Sequence, residues 1–245
     1  MRRCVFKAWR RTLAGKRMML GVLLALLVVA ALAAAAPATA AAKQGPPWSD
    51  VSAQMRQLYD VTNAQLATID PGYPDRTWRP SDPITRGWLA LKAVPAFGIP
   101  LAYPATPTCS DVLPGDALYP YFEGAYAVNF MHPGQINGQL LWLPTANLTR
   151  IQAAVTTARW AARVKNYDLA TMYTQQRIDE LLARFPDTVG DPGGLGSAYG
   201  PVVAFAIEFG IIRADANGNL SPYNYATRID TASMILHALK VPAAK

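Results

Sequence analysis

Two cysteines and two histidines are all that 245 residues offer of the side chains most used for metal and nucleophile chemistry. Cys4 sits in a basic N-terminal segment, so only Cys109 belongs to the remainder, and an internal disulfide there is excluded. His132 and His237 are far apart and have no obvious partners, which leaves no nucleophile–base set and no metal cluster. The chain is therefore read as noncatalytic, with no cofactor. A basic surplus is missing too, once position is considered. Residues 1 to 17 hold seven of the 23 Lys and Arg and no acid, leaving 16 basic residues against 16 acidic ones. The net charge of +7 belongs to that segment and gives no warrant for nucleic-acid binding. The glycine-rich run 193–200 lacks the Gly-x-Gly-x-x-Gly order of a phosphate cradle. Asp215-Ala216-Asn217-Gly218-Asn219 imitates the start of a calcium loop, but its glycine is misplaced and Ala226 fills the twelfth position, so it reads as a turn.

The basic segment leads into an apolar run, Met18 to Ala36, and then into Ala38-Thr39-Ala40. Basic, apolar and small segments in that order describe an export signal, assigned with a short linker to residues 1–42. An uncleaved anchor is the competing reading, because the run just suffices to span a bilayer; it would be the chain's one membrane contact. Cys4 precedes the run, so a lipid anchor is not supported.

The remainder repeats itself. Thr85-Arg86, Thr149-Arg150 and Thr227-Arg228 each follow a proline that stands six residues before the arginine: Pro80, Pro144 and Pro222. Two residues before each proline is a large apolar side chain, Trp78, Trp142 or Leu220. Upstream lie Asp50, Asp111 and Asp187, 36, 39 and 41 residues before the arginines. Such a period marks three copies of one supersecondary unit. Each unit reads as helix, loop, helix. The second helices are clearest, with Ile151, Val155, Ala158 and Ala162 on one stripe and Ile229, Ala232, Leu236 and Leu239 on another. Thr149 and Thr227 fit the N-cap, with Gln152 and Asp230 placed to reach back. In the 85–97 helix, Trp88 takes that place and Pro95 ends the helix. First helices are expected near 50–68, 117–131 and 197–210, closed by Asn129 and Gly210 in the latter two. A further helix is expected near 168–185.

Phe209-Gly210-Ile211-Ile212 and the run from Arg79-Pro80 to Ile84-Thr85-Arg86 resemble the S-layer homology family, and the likeness covers about residues 48–242. The resemblance implies a mainly all-α, pseudo-threefold bundle: repeat 1 over 48–104, repeat 2 over 105–165, a connecting helix over 166–184 and repeat 3 over 185–242. It implies export to the cell wall or surface and noncovalent binding of a secondary cell-wall polysaccharide, typically pyruvylated, in grooves between repeats. The family glutamate after Thr-Arg is replaced by Trp88, Gln152 or Asp230, a position read as a helix cap.

Arg86, Arg150 and Arg228 are the candidate ligand-binding set, since a guanidinium at a helix start suits a sugar carboxylate. Arginines paired within the fold are the alternative. Asp50, Asp111 and Asp187 are read first as N-caps, with a part in shaping the groove implied by the resemblance. Trp78 and Trp142 read as core rather than sugar platforms. A module for binding other surface proteins on the same scaffold is the competing function; a wall-active enzyme is disfavoured, because the repeats consume the chain.

Overall fold

The computed structural model describes residues 48–190, 194–196 and 199–244. The signal segment expected over 1–42 lies outside the described residues, as does part of the glycine-rich run. The described chain is mostly helical, with nine α-helices, one 3₁₀ turn and a two-stranded hairpin among those residues.

The expected helix over 50–68 is two helices, α1 (Ala53–Tyr59) and α2 (Asn63–Ile69). Asp60 adopts a left-handed φ of 51° that closes α1, and Thr62 with Gln65 forms a capping box that opens α2. The internal Thr-x-x-Gln signal thus wins over the continuous apolar pattern. α3 (Arg86–Ala96) follows, then α4 (Tyr119–Ala127), shorter than expected at both ends. Asn137 and Gly138, at φ 50° and 80°, turn a short antiparallel hairpin of β1 (Gly134–Ile136) and β2 (Gln139–Leu141). α5 (Arg150–Val164) is the longest described helix. The further helix expected over 168–185 is also two, α6 (Leu169–Met172) and α7 (Gln175–Leu182), parted by an extended Tyr173 and restarted by the Thr174 cap. A 3₁₀ turn, Pro186–Thr188, precedes α8 (Gly200–Glu208) and α9 (Arg228–Lys240). Asn129 and Gly210 carry the left-handed φ expected of them, 62° and 65°.

Thr85, Thr149 and Thr227 cap α3, α5 and α9, each hydroxyl accepting the N–H of the third helical residue at 3.2, 3.3 and 3.3 Å. Gln152 and Asp230 reach back to the threonine N–H at 2.9 Å in both cases. Trp88 has no acceptor to offer, so α3 lacks the reciprocal bond. Its second residue is Gly87 because the backbone comes close there: a Cβ would lie 2.9 Å from the Pro144 carbonyl and 2.7 Å from Leu118 Cδ1.

The residues just before these threonines bring three distant parts of the chain together. The Ile84 N–H donates to the Ala226 carbonyl at 2.9 Å, Ala226 N–H to Leu148 at 2.8 Å, and Leu148 N–H back to Ile84 at 3.2 Å. The helix starts run round the same three segments in the opposite sense. N–H groups of Arg86, Arg150 and Arg228 donate to the carbonyls of Ala146, Asn224 and Asp82, and those of Gly87, Ile151 and Ile229 to Pro144, Pro222 and Pro80. The orphan donors of three helix N-termini are thereby satisfied by turns from elsewhere in the chain. Around this cycle the core closes on Trp78, Trp142 and Leu220, all fully buried. α9 is buried on nearly every face from Arg228 to Ala238 and packs on α5, which packs in turn on α8. No described helix is long and apolar enough to cross a membrane.

Candidate functional site

The three aspartates do not cap the first helices; Ser52, for example, caps α1. Each carboxylate instead grips two consecutive backbone N–H groups some thirty residues downstream. Asp50 accepts from Trp78 and Arg79 at 2.8 and 2.7 Å, Asp111 from Trp142 and Leu143 at 2.9 and 2.8 Å, and Asp187 from Leu220 and Ser221 at 2.8 and 2.7 Å. The second residue of each pair is a non-glycine in the left-handed region, with φ 54°, 54° and 48°. That conformation costs about 1–3 kcal/mol, and two charge-assisted hydrogen bonds offset it. The signal was a repeated aspartate at fixed distance from an apolar–x–Pro turn, but its partners could only be seen once the turn was folded back.

The arginines grip the same turns from the other side. Nε of Arg86 donates to the Trp142 carbonyl at 2.7 Å, Nε of Arg150 to Leu220 at 3.1 Å, and Nε of Arg228 to Trp78 at 2.9 Å. Each arginine therefore ties the start of its own helix to the turn that the aspartate of another segment holds. The remaining donors set the three apart. Arg150 is 5% exposed, pairs with Asp230 and donates to the Arg213 carbonyl at 2.8 Å. Arg228, also 5% exposed, donates to Tyr73 Oη at 3.2 Å, faces the rings of Trp78 and Trp88, and lies 3.3 Å from Asp70 in an ion pair without hydrogen-bond alignment. Neither presents its guanidinium to solvent, so the direct ligand role expected of Arg150 and Arg228 is replaced by a structural one. The partners they have lie inside the protein, and Arg228 Nη2, paired with Asp70, is buried without a hydrogen bond.

Arg86 differs. It is half-buried, its outer nitrogen donates to the His132 carbonyl at 2.6 Å, and no carboxylate is paired with it among the described residues. Burial pulls its pKa down, with Asp111 opposing more weakly. The cause lies in the residue three places after each threonine. Asp230 neutralises Arg150 and Trp88 stacks near Arg228; Gln152, which lines the cavity beside Arg86, is neutral. The position read as a helix cap also faces another segment's arginine, and only at Asp230 does it supply a charge.

Two adjoining cavities of about 510 and 370 Å³ share Arg86, Leu148, Thr156 and Arg159. Arg163 and His132 line the first, Tyr199 and Tyr223 the second, and neither is lined by a carboxylate. Arg159 and Arg163 are one turn apart on the exposed face of α5, a helix without an acid. Arg163 donates to the Val128 carbonyl, and Arg159 lies 5.6 Å from the centre of the Tyr199 ring. Like charges at this spacing oppose helix formation by a few tenths of a kcal/mol. That unrelieved pair on an otherwise acid-free helix was the legible signal for the groove, and it was missed.

His237, expected to be without partners, has two. Its Nδ1 lies 3.1 Å from Ser233 Oγ and 2.8 Å from the Ser233 carbonyl, and its Nε2 lies 3.1 Å from Asp60. The Ser233 hydroxyl is buried and donates to the Tyr59 carbonyl at 2.8 Å. This Ser–His–Asp line fastens α9 to the bend between α1 and α2. No group of three or more His, Cys, Asp or Glu among the described residues could hold a metal ion. Compared with known protein families and with characterised proteins, the chain matches none.

Proposed function

We propose that this is a noncatalytic cell-envelope anchoring module of three S-layer homology repeats in a pseudo-threefold bundle, which binds an acidic secondary cell-wall polysaccharide in the Arg86 groove. One observation carries the reading: three arginines converge on a continuous, solvent-open groove with no carboxylate lining it. Guanidinium groups kept apart from acids and partly desolvated suit a sugar carboxylate, such as a pyruvate ketal, in two-point fashion. The cyclic hydrogen bonding of the Thr-Arg segments fits a closed bundle in which each repeat completes the next. Export rests on the N-terminal signal pattern and a wall location on the family resemblance, and other surface proteins remain the partner class for the competing scaffold reading.

The test is co-sedimentation of the protein with purified cell walls before and after chemical stripping of the secondary polymer. Binding should vanish on stripping and fall about tenfold or more for Arg159→Glu, since a charged contact contributes roughly 1.5–3 kcal/mol. Equal binding to stripped walls, or equal binding to double-stranded DNA at the same salt, would overturn the proposal.

A further inference from the structure

We infer that the groove holds at least two consecutive sugar residues, an acidic one among Arg86, Arg159 and Arg163 and an uncharged one laid against Tyr199 and Tyr223. This rests on the acidic-glycan reading above. The two cavities share four residues, so a ligand in one continues directly into the other. Their chemistry is unequal. The guanidinium of Arg163 belongs to the first alone, whereas the second is walled by Ile151 and Val155 beneath the two tyrosines. Tyr199 and Tyr223 remain 46% and 56% exposed, and aromatic rings suit a sugar's C–H face.

The tyrosines are held in place before any ligand arrives. Tyr223 lies between Pro222, whose carbonyl accepts the Ile151 N–H at 2.9 Å, and Asn224, whose carbonyl accepts the Arg150 N–H at 2.8 Å. The Asp187 carboxylate fixes the two residues just before Pro222. The Tyr199 carbonyl accepts the Val203 N–H at the start of α8, and its ring lies beneath Arg159. A backbone position anchored on both sides, as at Tyr223, loses little freedom on binding. The corresponding places in the other two turns hold Ser81 and Thr145, so Tyr223 has no aromatic counterpart there. Arg159 stands at the junction and faces both compartments.

The experiment measures binding of size-fractionated fragments of the purified acidic wall polysaccharide by calorimetry, comparing acidic monosaccharide, disaccharide and tetrasaccharide fractions. The wild type should gain about tenfold or more from monosaccharide to disaccharide. Tyr199→Ala/Tyr223→Ala should lose that gain while still binding the acidic monosaccharide, and Tyr199→Phe/Tyr223→Phe should keep it. Should the alanine variant fail to fold, saturation-transfer NMR on the wild type decides: ring protons of the uncharged residue must receive magnetisation from the protein's aromatic protons. A wild type that binds monosaccharide and tetrasaccharide equally, or an uncharged residue that receives none, overturns the inference and leaves the acidic-glycan reading standing. Failure of every fraction to bind the wild type overturns both.

Discussion

Replacing Asp111 by asparagine separates two roles that look alike in sequence. At a helix N-cap, Asn and Asp are equivalent within a few tenths of a kcal/mol. In the observed clamp they are not. Both carboxylate oxygens accept a backbone N–H, from Trp142 at 2.9 Å and Leu143 at 2.8 Å, and an amide can accept only one while its NH₂ opposes the other. One partly buried donor is left unsatisfied, a cost of about 1–3 kcal/mol, and the surviving bond loses its charge assistance, roughly another 1 kcal/mol. Leu143 must still hold its left-handed backbone. Asp111→Asn is therefore expected to lose about 2–4 kcal/mol and Asp111→Ala about 3–6 kcal/mol. These are large fractions of a typical stability of about 5–15 kcal/mol. Equilibrium urea unfolding followed by circular dichroism measures the loss. The near-ultraviolet signal of Trp142, stacked on Phe122 with ring centres 4.7 Å apart, reports whether the turn has moved. An asparagine variant within 0.5 kcal/mol of wild type, a threshold set by the N-cap equivalence, would refute the clamp. Asp187, which is more exposed, should show a smaller loss because water can replace part of the carboxylate.

Arg150→Met removes one partner of a buried pair and leaves Asp230 uncompensated, so a loss of about 3–5 kcal/mol is expected in chemical denaturation, with the groove's glycan affinity unchanged in the folded fraction. Gly124→Ala would place a Cβ 2.3 Å from the Pro100 carbonyl; thermal unfolding should show about 1–3 kcal/mol of destabilisation from overpacking. The Cys109 thiol is pushed up to about 11 by burial, and then by the Asp111 and Glu123 carboxylates nearby. The fold thus favours the protonated thiol. This contribution is complete below the ordinary thiol range near pH 9 and is lost as pH rises through 11, so Cys109→Ala should flatten the alkaline fall of stability in that window. At pH 8 the native thiol should resist alkylation until the protein is unfolded.

Local features were legible where the physics is local. Thr149 with Gln152 and Thr227 with Asp230 form the reciprocal caps read from four-residue windows, and Trp78 and Trp142 are buried as their place before proline implied. The same kind of window, Thr62 with Gln65, cuts the expected helix over 50–68 in two and was not recognised in the sequence. Asn137-Gly138 is a turn signal in itself, but the strands it joins are three residues each and carry no periodicity to read.

The repeated arginines were found from spacing, but their roles diverge in space. Arg150 meets Asp230 and Arg228 meets Asp70, 80 and 158 residues away in sequence, whereas Arg86 faces neutral Gln152 across a cavity. Sequence alone determined that three like segments exist, where their second helices start, and which threonines cap those helices, since these depend on neighbours a turn or two away. Tertiary structure decided which arginine stays free of a carboxylate and which tyrosines stand beside it. A charge is neutralised by whatever lies within a few ångströms, and closure of the chain on itself sets those neighbours.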